Sequence, residues 1–297
     1  MIYLKYIRWC LILSFLFIDY PVIAHASTLN LKGAFHYIMV SGDMKVNLHS
    51  TSGSSYAIAK GDFSDLANTD FVISNGWLKV NVGKGYPKVD SISVDIWVHN
   101  LRTLVQRGSA QVTGHLLHSN GLTVSSLGTT FLKLDGHLGL TGLQVGGASH
   151  VEISGIETKN LNLDLRGKAC VRLAGKIGIS QMHVCQQSWL SMYWLNMDRL
   201  ELTYGDQAFV QMAGQALVLD LEMYGNAKFA GRYLRANRAF VKTHDHAIAQ
   251  ISGVRSQHTL ALDSSKIDFF NVPTMKTDFS AEHGEMSDLR EWTMPRE

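Results

Sequence analysis

The sequence predicts an all-β protein: a right-handed parallel β-helix, or solenoid, with coils of about 19–20 residues. Three observations carry this. The first is a repeat, which is to be sought before any local element. Nine short motifs recur: RGSAQV, LGTTFL, GGASHV, RGKACV, CQQSWL, GDQAFV, YGNAKF, HDHAIA and DSSKID. Their second residues are Gly108, Gly128, Gly147, Gly167, Gln186, Asp206, Gly225, Asp245 and Ser264, and successive anchors lie 20 and 19 residues apart in alternation. The second observation is period two within each repeat. Apolar residues stand four after the anchor (Val112, Leu132, Val151, Val171, Leu190, Val210, Phe229), and a small column stands two after it (Ala110, Thr130, Ser149, Ala169, Ser188, Ala208, Ala227, Ala247). Such alternation marks strands with one buried face. The third is the 26 glycines set against 4 prolines, which supply bends without rigid breaks. Stacked coils also provide the crossovers that parallel strands require, and those crossovers are nearly always right-handed.

The elements follow in chain order. Residues 1–26 read as a signal peptide: Lys5 and Arg8 precede the apolar run LILSFLFI, and Ala24-His25-Ala26 offers an A-x-A cleavage site. The mature chain is then expected to be exported, to the periplasm, the outer surface or the medium, and not to span a membrane. Residues 27–100 form a strand-rich N-terminal part that covers one end of the rod. YIMVSGDMKVNLHS predicts two strands around Gly42, and FVISNGWLKVNV predicts a hairpin with Asn75-Gly76 in a type I′ turn. Residues 101–272 are the coils, a rod of about 38 Å at one strand spacing per coil. After Val272 the periodicity stops, so 273–297 are expected to be a polar tail or a cap. Cys170 and Cys185 fall on opposite sides of a turn and are expected to remain separate thiols.

Composition narrows the function. A net charge of +2 with both signs mixed along the chain offers no basic stripe for nucleic acid. No P-loop, nucleophile elbow, metalloprotease helix or Rossmann motif is present. Coil steps of 19 and 20 residues leave no insertion in which a catalytic loop would sit.

The segments VSGDMKVNLHS, NGWLKVNV and VDIWVHNLRTLVQRGSAQV, followed by repeated G-x-A-x-V units, resemble the bacterial GIN-domain family, an autotransporter adhesin head domain, over about Phe35 to Val272. The resemblance implies an exported β-helix with an adhesin-like role. This chain departs from the family at three anchors, Gln186, Asp206 and Asp245, where the coils are expected to turn differently.

Function is expected on the outward columns. Three after the anchor stand Phe131, His150, Cys170, Trp189, Phe209, Lys228, Ile248 and Ile267. Phe131, His150, Trp189, Phe209, Ile248 and Ile267 form an outer apolar strip. It could stack for stability, lie under another segment, or dock a surface glycan, a protein or a second copy of the chain. Glu201, Asp220 and Glu222 cluster on adjacent coils, a pattern that could take Ca²⁺ or serve a polysaccharide-acting lyase or hydrolase, with Arg199 or Arg238 as the competing counter-charge. His244 and His246 flank Asp245 and, with Asp263, are a candidate Zn²⁺ set. The preferred reading is a non-enzymatic binding module at the bacterial cell envelope; a polysaccharide-acting enzyme or a structural envelope protein are the alternatives.

Overall fold

In the computed structural model, which describes residues 26–89, 91–270, 276–282 and 284–288, the repeat becomes a stack of parallel coils, a β-solenoid of about eight turns. Residues 1–25 of the signal segment lie outside the described residues.

The N-terminal part is threaded out of order. It comprises β1 (Ala26–Lys32), β2 (Tyr37–Ser41), β3 (Lys45–Ser50), β4 (Tyr56–Asp62), α1 (Phe63–Ala67), β5 (Thr69–Ser74), β6 (Trp77–Val82) and β7 (Ser93–Val98). β2 lies between β6 and β8 (Thr103–Gly108), parallel to both. β3 lies between β7 and β9 (Gln111–Gly128) in the same way. The chain therefore builds the second layer first, runs outward to make the end layer from β6 and β7, and passes back over it to start the regular coils. Antiparallel strands close the end: β5 on β6, β4 on β7 and β1 on β4. The expected hairpin joins β5 to β6, with Asn75 at φ 50° and Gly76 at φ 76°, the pair of left-handed residues a type I′ turn requires. Asp62 caps α1 by accepting the Ser64 N–H at 2.8 Å. Buried Asp65 accepts the N–H groups of Lys88 and Val89, tying the 84–89 loop to the helix.

The coils follow as β10 (Phe131–Gly147), β11 (His150–Leu165), β12 (Cys170–Val184), β13 (Trp189–Tyr204), β14 (Phe209–Met223), β15 (Lys228–Thr243) and β16 (Ile248–Leu262). Each pairs in parallel with the next. The predicted inward columns are core: Val112, Leu132, Val151, Val171, Leu190, Val210 and Phe229 are buried, as is the small column from Ala110 to Ala247. The stack continues past the end of the readable periodicity. β17 (Lys266–Phe269) pairs with β16, β18 (Lys276–Glu282) with β16, and β19 (Glu285–Asp288) with β17. Lys276–Glu282 and Glu285–Asp288 thus contribute strands to a final layer.

Two corners recur in the coils. At the first, the anchors are left-handed whether or not they are glycine: Gln186 at φ 61°, Asp206 at 61° and Asp245 at 56°, beside Gly167 at 78°. The expectation that the non-glycine coils turn differently is therefore wrong. Side chains take over part of glycine's role. Gln186 Oε1 accepts the Gly167 N–H, and Asp206 Oδ2 accepts the Gln186 N–H at 2.8 Å. Asp245 Oδ2 accepts the Gly225 N–H at 2.8 Å, and Asp263 Oδ2 the Asp245 N–H at 3.1 Å. Each acceptor caps the corner of the preceding coil, and Asp is among the residues that tolerate left-handed backbone.

The second corner lies eight residues on and takes two forms in turn. Leu116, Gly155 and Trp194 are left-handed, at φ 52°, 72° and 63°, and lie in the 20-residue coils. Gly136, Gly175 and Gly214 stand at φ 142°, 145° and 140° in the 19-residue coils. Only glycine enters the latter region. A β-carbon there would also meet the carbonyl oxygens of Leu117, Ile156 and Leu195 at 2.0, 2.1 and 2.2 Å. The fourth 20-residue coil departs from this: Tyr233, eight after Gly225, is not left-handed.

Trp194 disturbs this pattern. At the equivalent Gly155, a β-carbon would stand 1.8 Å from the carbonyl oxygen of the coil below. Trp194 carries that carbon, and the β12–β13 ladder runs only from Cys170–Trp189 to Ala174–Tyr193, stopping one residue before it. The seam opens beyond this point. Ile179, Met182 and Met197 are only partly buried there, and a cleft of about 710 Å³ opens between Lys176–Ile179 and Asn196–Arg199.

Candidate functional site

The outer column of the first face is continuous in register. Phe131 pairs with His150, His150 with Cys170, Cys170 with Trp189, Trp189 with Phe209, Phe209 with Lys228 and Lys228 with Ile248. Parallel pairing forces this, because residues at the same offset from each anchor lie one strand spacing apart. Phe131 and His150 stack at 5.5 Å and 2°, and Trp189 and Phe209 at 6.1 Å and 3°. The rings are half-buried.

The next outward column is charged. Glu152 contacts Lys133 at 3.8 Å, Arg172 at 2.8 Å and His150 at 3.2 Å. The His150 hydrogen bond holds the Glu152 carboxyl below its ordinary value, with Arg172 and Lys133 assisting. The Arg172 guanidinium also lies 5.9 Å from the Trp189 ring centre, within reach of a cation–π contact.

Ile267 does not belong to this column. The last anchor is Asp263, at φ 57°, and not Ser264, so the final step is 18 residues. Ile267 then pairs with Ala249 and is fully buried, while Lys266 pairs with Ile248 and continues the outer column. Ser265, likewise buried, completes the small column and hydrogen-bonds Thr243 at 2.8 Å. One residue of slip reverses inside and outside because the side-chain period is two.

The acidic and histidine candidates divide into separate contacts. Glu201 and Asp220 are register partners, and Arg199 joins both: its Nε bonds Glu201 and its Nη2 bonds Asp220 at 3.0 Å. Glu222 lies in another column and accepts from Tyr224, His244 and Lys242, with the Tyr224 hydroxyl the first cause of its lowered pKa. His244 is 3.3 Å from Glu222 and stacks on Tyr224 at 4.5 Å and 8°. His246 is exposed, and the Asp263 carboxylate is turned to the Asp245 N–H. Among the described residues, no group of three or more His, Cys, Asp or Glu side chains converges as a metal set. Arg238 pairs in register with Val218, not with these carboxylates.

Cys170 and Cys185 are both free, and partial burial pushes each thiol up. Along the first corner a shallow groove of about 910 Å³ is lined by Lys168, Gln187, Gln207, Asn226 and Tyr224. The residue sequence reasoning missed is Trp194. It was an unremarked position eight after an anchor; its side chain is 71% exposed, with Tyr233 at 66% two coils on. The interruption of the second-glycine column at Trp194 and Tyr233 was the available signal.

Among the described residues, no helix is long and apolar enough to cross a membrane. No curated protein matches the chain. Solved structures similar to it include a "putative adhesin" from Parabacteroides distasonis, at 10% identity over 90% of this chain and 98% of that one, with a TM-score of 0.47. A "putative adhesin" from Parabacteroides merdae shares 13% identity over 89% and 96%, with a TM-score of 0.45. A "putative lipid binding protein" from P. distasonis shares 11% over 88% and 93%, with a TM-score of 0.43. The family described as "Putative auto-transporter adhesin, head GIN domain" matches residues 34–204, more than half of the 297, and the chain belongs to that family.

Proposed function

We propose that this protein is an exported, non-enzymatic, adhesin-like binding module of the bacterial cell envelope, and that the outer column of the first face contacts its target, a surface glycan or protein. One observation carries the reading: five sequence-predicted residues, Phe131, His150, Trp189, Phe209 and Ile248, stand in one register column and are partly exposed. A repeat scaffold presents such a column as an extended, rigid surface. The basic, apolar and A-x-A pattern at the N-terminus supports export, and family membership supports the adhesin-like role.

A glycan array and a bacterial-surface pull-down, run with wild type and the Trp189→Ser/Phe209→Ser variant, test the reading. Retained targets that the variant loses, at an unchanged melting temperature, support it. Equal binding by both proteins overturns the assignment of this face. Cell fractionation that finds the chain in the cytoplasm with Met1 intact overturns export.

A further inference from the structure

A second surface, separate from that column, has the composition of a binding site. Trp194 directly precedes Leu195, and Tyr233 directly precedes Leu234. Leu195, Gly214 and Leu234 are successive register partners. The two residues therefore stand at the same edge of the rod, two coils apart, about 9–10 Å along the axis. Only Ala213 and Gly214 lie between them. Both side chains are largely exposed, at 71% and 66%.

The neighbouring outward column is Asn196, Gln215 and Arg235, in register. It lines a cleft of about 310 Å³ together with Asp198 and Asn237. Flat aromatic faces beside a row of amide and guanidinium groups suit a sugar: the rings cover its C–H faces, and the planar polar groups bind paired hydroxyls or a carboxylate.

Charge selects among sugars. β15 carries Lys228, Arg232, Arg235, Arg238 and Lys242 and no acidic residue. Lys242 pairs with Glu222, and Arg232 lies 5.7 Å from the Tyr233 ring centre. Arg235 and Arg238 are exposed and enter no salt bridge among the described residues. Asp198 is the acidic group facing them from the cleft. The two-coil spacing of the two positions, about 9–10 Å, is close to the length of a disaccharide unit in an extended 1→4-linked chain.

We infer that the edge bearing Trp194, Tyr233 and Arg235 binds an extended anionic polysaccharide lying along the rod axis, one disaccharide for every two coils. The inference does not depend on the first-face column.

Affinity electrophoresis and calorimetry with polygalacturonate, and with uncharged hydroxyethylcellulose as the neutral probe, test it. Trp194→Asn keeps a residue that tolerates left-handed backbone, and Tyr233→Ser alters an exposed ring, so both variants are expected to fold; melting curves check this. The expected result is binding of polygalacturonate in preference to the neutral chain. The Trp194→Asn/Tyr233→Ser pair and, separately, Arg235→Gln/Arg238→Gln should each weaken it about tenfold or more, while Trp189→Ser/Phe209→Ser leaves it unchanged. Equal affinity for both polysaccharides, no binding of polygalacturonate, or weakening by the arginine pair but not by the aromatic pair would each overturn the inference. The last result would mean diffuse electrostatic attraction only.

Discussion

Asp245 gives the sharpest test of how the non-glycine corners are held. Its carboxylate accepts the Gly225 N–H at 2.8 Å, and its own backbone is left-handed at φ 56°. Asp245→Ala removes the acceptor and also places an ordinary β-carbon residue in that region. The lost hydrogen bond, to a charged acceptor but at an exposed corner, is worth about 1 kcal/mol. The left-handed alanine costs about 1 kcal/mol more than aspartate, whose short side chain bonds locally. The sum is about 2 kcal/mol, or a fall of about 4 °C or more in melting temperature for a chain of this size. Asp245→Gly loses the cap but not the backbone fit, so it should cost about half as much; Asp245→Asn keeps an acceptor and should be nearly neutral. Urea unfolding followed by circular dichroism orders the three. Amide exchange at Gly225 gives the local readout, because each coil touches only its neighbours. Gly225 should lose protection in the alanine and glycine variants and keep it in the asparagine variant. An alanine variant no less stable than the glycine one refutes the strain argument, and an asparagine variant as weak as glycine refutes the cap.

Three further outcomes follow from the geometry. Trp194→Gly removes the β-carbon at which the β12–β13 ladder stops, so amide exchange across Leu195–Leu202 should slow; unchanged exchange means the seam has another cause. Ile267→Ala should cost about 2–5 kcal/mol as a buried truncation, whereas Lys266→Ala should cost under about 0.5 kcal/mol; the reverse order restores the Ser264 register. Glu152 has a folded pKa below the ordinary 4.5, chiefly through His150. Its contribution is therefore present above that value and lost as pH falls through the folded pKa. The stability gap between wild type and Glu152→Gln should close on acidification below about pH 4.5, and a gap that widens there contradicts the assignment.

Much of the fold was legible because a solenoid writes itself locally. Period two places Val171 and Leu173 inside, and a fixed coil length brings Trp189 beside Phe209 without any long-range information. The same logic found the first-face column. It failed at Ile267, where the final step is 18 residues and not the 19 that the alternation predicts, which shifted the register by one. It failed again at the acidic cluster: Glu201 and Asp220 do share a column, but only side-chain placement shows Arg199 between them.

The sequence by itself determined the fold class, the inward columns and the order of residues along the outer strip, since each depends on spacing alone. Tertiary structure decided the rest. The end layer is built out of sequence because β2 and β3 find partners on both sides, a long-range pairing that no local pattern encodes. The second corner proved to take two conformations, one of them at a φ near 140° that only glycine enters. And Trp194 became a feature only in the stack, where the β12–β13 ladder stops one residue before it and its exposed side chain shares an edge with Tyr233 two coils on.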